Sequence, residues 1–149
     1  MQLLPILPTI EENKAFAVNP LCDGSLGMTL NFYKRVGYNP PWISYYVEDG
    51  GELVGAAAFK GKPVNNTVEI AYGTFEAYQH KGIGGQICRK LVELALQTDP
   101  LVIVTAKTLP EVNFSNRLLQ KNGFAFTGVV NDPEDGDVWE WRYIADIIA

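Results

Sequence analysis

The sequence predicts an α+β (α/β) fold: a mixed, mostly antiparallel sheet of six or seven strands flanked by about four helices. Three observations carry that reading. Turn chemistry in "DGG" and "NDPEDGD" joins β-rich runs into hairpins, which argues against an all-parallel doubly wound sheet. The continuous apolar run "PLVIVTA", bounded by Pro100, has the composition of a buried central strand. "GQICRKLVELALQT" repeats Ile87, Leu91, Leu94 and Ala95 at helical spacing, giving a helix with one buried face.

The elements follow in order. "LLPIL" is a short edge strand, since Pro5 cannot donate to a ladder. In "TIEENKAFAVN", Thr9 stands three residues before Glu12, the spacing of a capping box, and Ile10, Phe16 and Ala17 are expected to share a helix face. "LGMTLNFYKRVGY" is a second helix, ending near Gly37, and "NPP" breaks the chain. "WISYYVED" and "ELVGAAAFKG" form a hairpin around "DGG", and "TVEIAYGTF" is the next strand. After the helix at 85–98 and the central strand comes "LPEVNFSNRLLQKNG", a helix expected to start near Pro110 and stop at Gly123. "FAFTGVV" and "DVWEWRYI" close the chain as a last hairpin.

The bulk properties narrow the function classes. At 149 residues, 47% apolar and 19% charged, the chain reads as one domain, 1–149, able to bury a core. A net charge of −5 disfavours nucleic acid and anionic membrane as partners. Cys22 and Cys88 lie far apart with no histidine cluster, so no disulfide framework and no metal site is expected. The start "MQLLPILPTIEEN" lacks a basic region before its apolar run, so it does not read as a signal peptide. A soluble, cytoplasmic protein is the expectation.

Between "EIAYGTF" and the amphipathic helix stands "QHKGIGG". Glycines at a strand–helix junction leave backbone N–H groups open, and the helix dipole favours an anion there. Gly82, Gly84 and Gly85 would let a phosphate approach the backbone, and Gln79, His80 and Lys81 add donors. On these residues alone an ordinary glycine-rich turn is the favoured reading. No Gly-Lys-Ser/Thr follows, which excludes a Walker loop, and the spacing is not the dinucleotide G-x-G-x-x-G.

The longer string settles on a resemblance. Gln79-His80-Lys81-Gly82-Ile83-Gly84 matches the Q/R-x-x-G-x-G/A motif of the GNAT acetyltransferases. "LPEVNFSNRLLQKNGF" resembles P-E-N-x-x-S-x-x-x-L-E-K-x-G-F in the branch that includes ribosomal-protein N-terminal acetyltransferases, and "DPEDGDVWEWRY" resembles that branch's C-terminal hairpin. The match runs over roughly residues 42 to 143; the first third is similar only in its strand–helix–helix order. The resemblance implies a GNAT fold splayed between the strands at 67–75 and 101–106. It implies acetyl-CoA as co-substrate, no metal, and an amine acceptor on a small molecule or a protein N-terminus, with a homodimer as the expected assembly if the chain associates. Gln79, His80, Lys81, Gly82, Ile83, Gly84 and Gly85 would hold the pyrophosphate; Tyr72 and Gly73 amides would face the thioester; Thr74 would pair with pantetheine; Asn113 and Ser115 would line the far wall.

Acetyl transfer to an amine needs a neutral nucleophile, a donor for the oxyanion and a proton for the thiolate. The tyrosine acid of many GNAT enzymes falls on Leu119 here. The resemblance instead implies Ser115 as acid and Glu134 as base, with Glu69 as the rival base on the strand beside the thioester. His80, the single histidine, sits in the phosphate loop and is not read as catalytic. The family asparagine falls on Val112, and Asn113, one residue on, is rotated by about 100° on a helix. Trp139, Trp141 and Tyr143 stand at alternate positions of one strand and Trp42, Tyr45 and Tyr46 near another; they read as core residues, with the wall of an acceptor cleft as the alternative for some. The carboxylates Glu48, Glu69, Glu134 and Asp135 suit a cationic amine if they converge. The alternative to an enzyme is a non-catalytic acyl-CoA-binding or regulatory module on the same fold.

Overall fold

The structure is a computed structural model that describes residues 1–111 and 113–144. Seven strands form one sheet: β1 (Gln2–Pro5), β2 (Ser44–Asp49), β3 (Glu52–Phe59), β4 (Thr67–Thr74), β5 (Ile103–Thr108), β6 (Phe124–Asp132) and β7 (Gly136–Tyr143). Their spatial order is β1-β2-β3-β4-β5-β7-β6. Every pairing is antiparallel except β4–β5. The helices are α1 (Lys14–Ala17), α2 (Ser25–Val36), α3 (Ile83–Thr98) and α4 (Phe114–Lys121). The mixed sheet with four helices is the one the hairpin signals predict. None of the described helices is long and apolar enough to cross a membrane.

Local chemistry explains most boundaries. Gly37, at φ +91°, ends α2 with its N–H on the Tyr33 carbonyl. The "DGG" turn places Gly50 and Gly51 at positive φ, as a tight hairpin requires. Thr9 does meet Glu12: its hydroxyl accepts the Glu12 N–H at 3.3 Å and donates to the Glu12 carboxylate at 2.8 Å. This contact starts only a 3-10 turn (Glu11–Asn13) running into the short α1, so no long helix face forms there. Ile10 is accordingly exposed, against expectation, while Phe16 packs edge-on to Tyr46.

The helix near Pro110 begins four residues later than expected, at Phe114. Asn113 caps it, accepting the Asn116 N–H at 3.2 Å, and the Asn116 side chain accepts the Asn113 N–H at 3.0 Å. This reciprocal cap satisfies two donors at once and outcompetes the proline as a start signal.

The core lies between the sheet and its helices. Ile87, Cys88, Leu91 and Ala95 of α3 are fully buried against β3 and β4. Each large apolar side chain there contributes about 1.5–3 kcal/mol by leaving water. On the other face, the Tyr33 hydroxyl of α2 donates to the Ile6 carbonyl at 2.8 Å and accepts the Ser44 N–H at 3.0 Å, fixing α2 over β1 and β2. Tyr45, Tyr46 and Trp141 are core residues, as expected of strand aromatics; adjacent Tyr45 and Tyr46 are buried on opposite faces of the sheet.

The feature that positions the site is a gap. Parallel β4–β5 pairing covers four registers only, from Thr67↔Ile103 to Ile70↔Ala106. Beyond them β4 continues along β3 and β5 continues along β7. The strands therefore part after Ile70, within the splay expected between 67–75 and 101–106.

Candidate active site

Alternation along β4 sends its side chains to two sides of the gap. Tyr72 faces α3, where its hydroxyl meets the Cys88 thiol. Val68 and Ile70 share that face. Glu69 and Ala71 face the opposite way, towards α2 and Lys60. The gap thus has a helix-α3 side and a helix-α2 side, and the two are built differently.

On the α3 side the walls are mostly backbone. Gly82 caps α3 in the left-handed region, φ +78° and ψ +4°, a conformation that a Cβ disfavours. The first backbone bond into the helix is from the Gln86 N–H to the Gly82 carbonyl, at 3.4 Å. The N–H groups of Ile83, Gly84 and Gly85 precede it and have no helical carbonyl to bond. They border a cavity of about 280 Å³, together with Thr74, Gly73 and the Gln79–His80 loop. The Gln79 amide donates to the Thr74 carbonyl at 3.2 Å, which ties the loop to the end of β4. His80 stacks edge-on against Phe114 of α4, with ring centroids 5.9 Å apart, and so roofs the cavity. Lys81 is not among its walls; the ammonium lies 5.9 Å from the centre of the Tyr78 ring.

Gly84 has a second reason to be glycine. A Cβ there would stand 3.1 Å from Leu118 Cδ1 and 3.5 Å from Thr74 Oγ1, so the residue lets α3 approach α4. A Cβ would require Leu118 to give by a few tenths of an ångström, so packing as well as access to the backbone favours the smallest residue at that position.

Tyr72, Ser115 and Leu118 also border a second, adjoining cavity of about 350 Å³ in the gap itself. Burial pushes the Tyr72 phenol well above its ordinary range, with the Cys88 contact adding to it, and burial pushes the Cys88 thiol up to about 11. Both groups stay neutral at physiological pH, so this wall is uncharged. Ser115 lies in the first turn of α4, exposed, with its hydroxyl bonded to no protein group among the described residues. Below it, Thr108 accepts from the Asn116 side chain at 2.8 Å and from the Trp141 indole at 3.0 Å, clamping α4 onto β5 and β7. Asn113 borders the same cavity, but its amide oxygen is committed to the helix cap. Val112 lies outside the described residues.

The far side of this cavity carries charge. Glu69 holds Lys107 at 3.2 Å and Lys60 at 3.6 Å, and Lys107 also reaches Asp132 at 3.4 Å. Burial lowers the Lys107 ammonium, but Glu69 and then Asp132 outweigh it, so it is held above the ordinary lysine value. Asp132 accepts the Glu134 and Asp135 N–H groups at 2.9 and 3.1 Å; these bonds, more than Lys107, keep its carboxyl below the ordinary range. The result is an alternating chain, Lys60–Glu69–Lys107–Asp132, running from the residue that follows β3 across β4, β5 and β6. Sequence reasoning missed Lys60, Lys107 and Asp132. The one local signal was Lys107 itself, a cation interrupting the apolar run of β5.

Of the acidic residues expected to converge, Glu69 and Asp135 share this cavity and Glu134 lines a neighbouring groove. Glu48 does not join them; it borders a crevice beside Phe16 and Leu21. Ser115 and Glu134 share no hydrogen bond and border different cavities. Leu119, at the position of the family tyrosine, is buried. Among the described residues no group of three or more His, Cys, Asp or Glu side chains is arranged to hold a metal ion.

Residues 12–124 match the family model described as "Acetyltransferase (GNAT) family". The chain belongs to that family. Among GNAT proteins, an uncharacterized N-acetyltransferase of Bacillus subtilis (strain 168), YjdG, is 31% identical over 98 residues, covering 65% of this chain and 55% of that protein. The ribosomal-protein-serine acetyltransferase of Escherichia coli (strain K12) is 31% identical over 84 residues, covering 56% and 47%. The chain thus spans about half the length of the curated relatives it matches.

Two solved structures extend the comparison. The aminoglycoside acetyltransferase AAC(6')-Ib in complex with coenzyme A superposes at a TM-score of 0.60, with 25% identity, over 70% of this chain and 66% of that one. The ribosomal alpha-N-protein acetyltransferase RimL superposes at 0.67 over 96% and 92%; at 16% identity, that likeness is one of fold.

Proposed function

We propose that this GNAT protein, as one domain spanning 1–149, transfers the acetyl group of acetyl-CoA to a primary amine by direct attack in a ternary complex. The observation that carries the reading is the pair of adjoining cavities. One is edged by the open N–H groups of α3; the other is charged; and they share Tyr72, Ser115 and Leu118 as walls. A pyrophosphate suits the first, by backbone donors and helix dipole. The loop donors Gln79 and His80 and the glycines 82–85 would hold it, with Lys81 supplying charge nearby. An extended pantetheine arm suits the gap, where Tyr72, Gly73 and Thr74 leave β4 unpaired on its β5 side.

The chain's own residues then divide the chemistry. Ser115, at the junction and free of internal bonds, protonates the departing thiolate. Glu69 and Glu134 are the two candidate bases for the incoming ammonium. Both oxygens of Glu69 already face lysine ammonium groups, at 3.2 and 3.6 Å, whereas Glu134 has no ion pair among the described residues. That difference favours Glu134 for proton removal and Glu69 for holding the charged wall. Positioning of the two substrates supplies much of the remaining acceleration. The buried free thiols of Cys22 and Cys88 support a reducing, cytoplasmic compartment. Net charge −5 supports the absence of nucleic-acid and membrane partners.

A buried leucine in place of the tyrosine acid supports one competing reading, an acyl-CoA-binding module without turnover. Titration calorimetry with acetyl-CoA followed by thiol release over an amine panel separates the two. Binding with release establishes the enzyme, binding without release the module, and no binding at millimolar acetyl-CoA removes both.

A further inference from the structure

Beyond the charged chamber, on the side away from the α3 loop, a third groove of about 270 Å³ continues under α2. It shares Lys60 and Ala71 with the chamber, so the three spaces form one trough crossing the sheet. Its floor is apolar, with Ala58 from β3 and Ala71 from β4 side by side, and Phe32 of α2 forms a side. Two charges stand over that floor from opposite walls: Arg35 from the last turn of α2, and Glu134 from the β6–β7 turn.

The balance of charge selects what fits. In the chamber, the alternating chain of Lys60, Glu69, Lys107 and Asp132 matches two cations with two anions. Asp135 adds one further anion to the chamber, and Arg35 and Glu134 offset each other in the groove, so the trough carries one surplus negative charge, little to draw a polycation deep into it. Arg35, by contrast, has no ion pair among the described residues. Its guanidinium is held 5.2 Å from the centre of the Phe32 ring, which orders the group without neutralising it. A second ammonium on the acceptor would meet Arg35 and Lys60 as like charges. A carboxylate would meet a planar fork of donors suited to two parallel bonds. Proximity of Arg35 to the α2 C-terminus is favourable by itself, but the helix dipole leaves the donors of the fork open.

We propose that the acceptor is a small amine that also carries a carboxylate, an amino-acid-like zwitterion. Its ammonium points to the acidic turn and the gap, its side chain lies on the apolar floor, and its carboxylate bonds to Arg35 with Lys60 beside it. The inference rests on the acetyltransferase reading and deepens it.

The test is coenzyme A release from acetyl-CoA with three acceptor sets: free L-amino acids, the same amino acids as C-terminal amides, and spermidine. The expected result is a kcat/KM for one or more free amino acids at least about tenfold above that of the matching amide and of spermidine. Arg35→Gln is expected to remove that preference by raising KM for the acid with kcat little changed, and Arg35→Lys to restore part of it. Because Arg35 is exposed, both variants are expected to fold. Equal or better turnover of amides or spermidine overturns the inference while leaving the transferase reading intact. So does an Arg35→Gln variant that keeps the preference. Failure of every amine, with acetyl-CoA bound, overturns the transferase reading and this one with it.

Discussion

The two sides of the β4–β5 gap achieve recognition by different means. On the α3 side the partners are backbone N–H groups, glycines and uncharged walls, held by helix capping and close packing. On the α2 side they are side chains: an alternating run of charges contributed by three strands and the residue after β3, flanked by Arg35 and the β6–β7 turn. Backbone donors look the same whatever the sequence, provided the turn keeps its shape. Side-chain charges change with a single substitution and leave the fold in place. A fixed ligand suits the first side and a variable one the second, which is the division expected of a shared acyl donor and an individual acceptor.

That contrast can be broken most severely at the sheet itself. A Cβ on Gly55 would lie 2.3 Å from the Gly73 carbonyl oxygen and 3.1 Å from Ile87 Cδ1. Gly55→Val must push β4 out of register, and a loss of about 3 kcal/mol or more in urea denaturation is expected, with both ligand sites damaged together. Next in size is Gly82→Val. At φ +78° it strains the loop by about 1–2 kcal/mol and turns the α3 N–H groups away. Calorimetry should show at least about tenfold weaker acetyl-CoA binding, with amine KM nearly unchanged; unaltered affinity would remove the loop from the donor site.

A smaller effect is expected at Lys107→Met, which leaves Glu69 and Asp132 facing each other without the cation between them. Stability should fall by about 1 kcal/mol and amine KM should rise, while acetyl-CoA affinity stays put. Equal losses for both ligands would mean that the two sides are not separable. The smallest effect is on pH. Asp132 has a depressed carboxyl, so its contribution is complete above the unfolded carboxylate value, about 3.9, and is lost as pH falls through its lower folded value. Lys107 is raised, so its contribution is complete below the unfolded lysine value, about 10.4, and fades as pH rises past it. The charge chain should therefore hold across the neutral range. Tryptophan fluorescence of the β6–β7 hairpin should shift only at strongly acid or strongly alkaline pH, and Asp132→Asn should flatten the acid limb.

The α3 side is legible in the sequence because its signals are local. "YQHKGIGG" between an alternating strand and an amphipathic helix names a capped turn wherever it occurs. The hairpins are legible for the same reason, through Gly50 and Gly51 and through the turn after Asp132. The α2 side is not, since Glu69, Lys107 and Asp132 lie on three strands, Lys60 just past a fourth, and they meet only through tertiary pairing. Two local signals also fail for physical causes. Ile10 has the spacing of a helix face that the 3-10 turn never completes, and the helix start that Pro110 signals is supplied instead by the Asn113–Asn116 cap.

The four registers that join β4 to β5 have a mechanical consequence. The sheet is two leaves, β1–β4 and β5–β7–β6, joined by four paired registers along one short seam, with α3 packed on β3 and β4 of the first leaf. Amide protons beyond that seam should exchange with solvent sooner than those within it. An extended ligand lying in the open part of the seam would supply the absent rungs. By mass action it raises the free energy needed to part the leaves in proportion to the logarithm of its concentration. The durability of this protein would then track the supply of its own acyl donor.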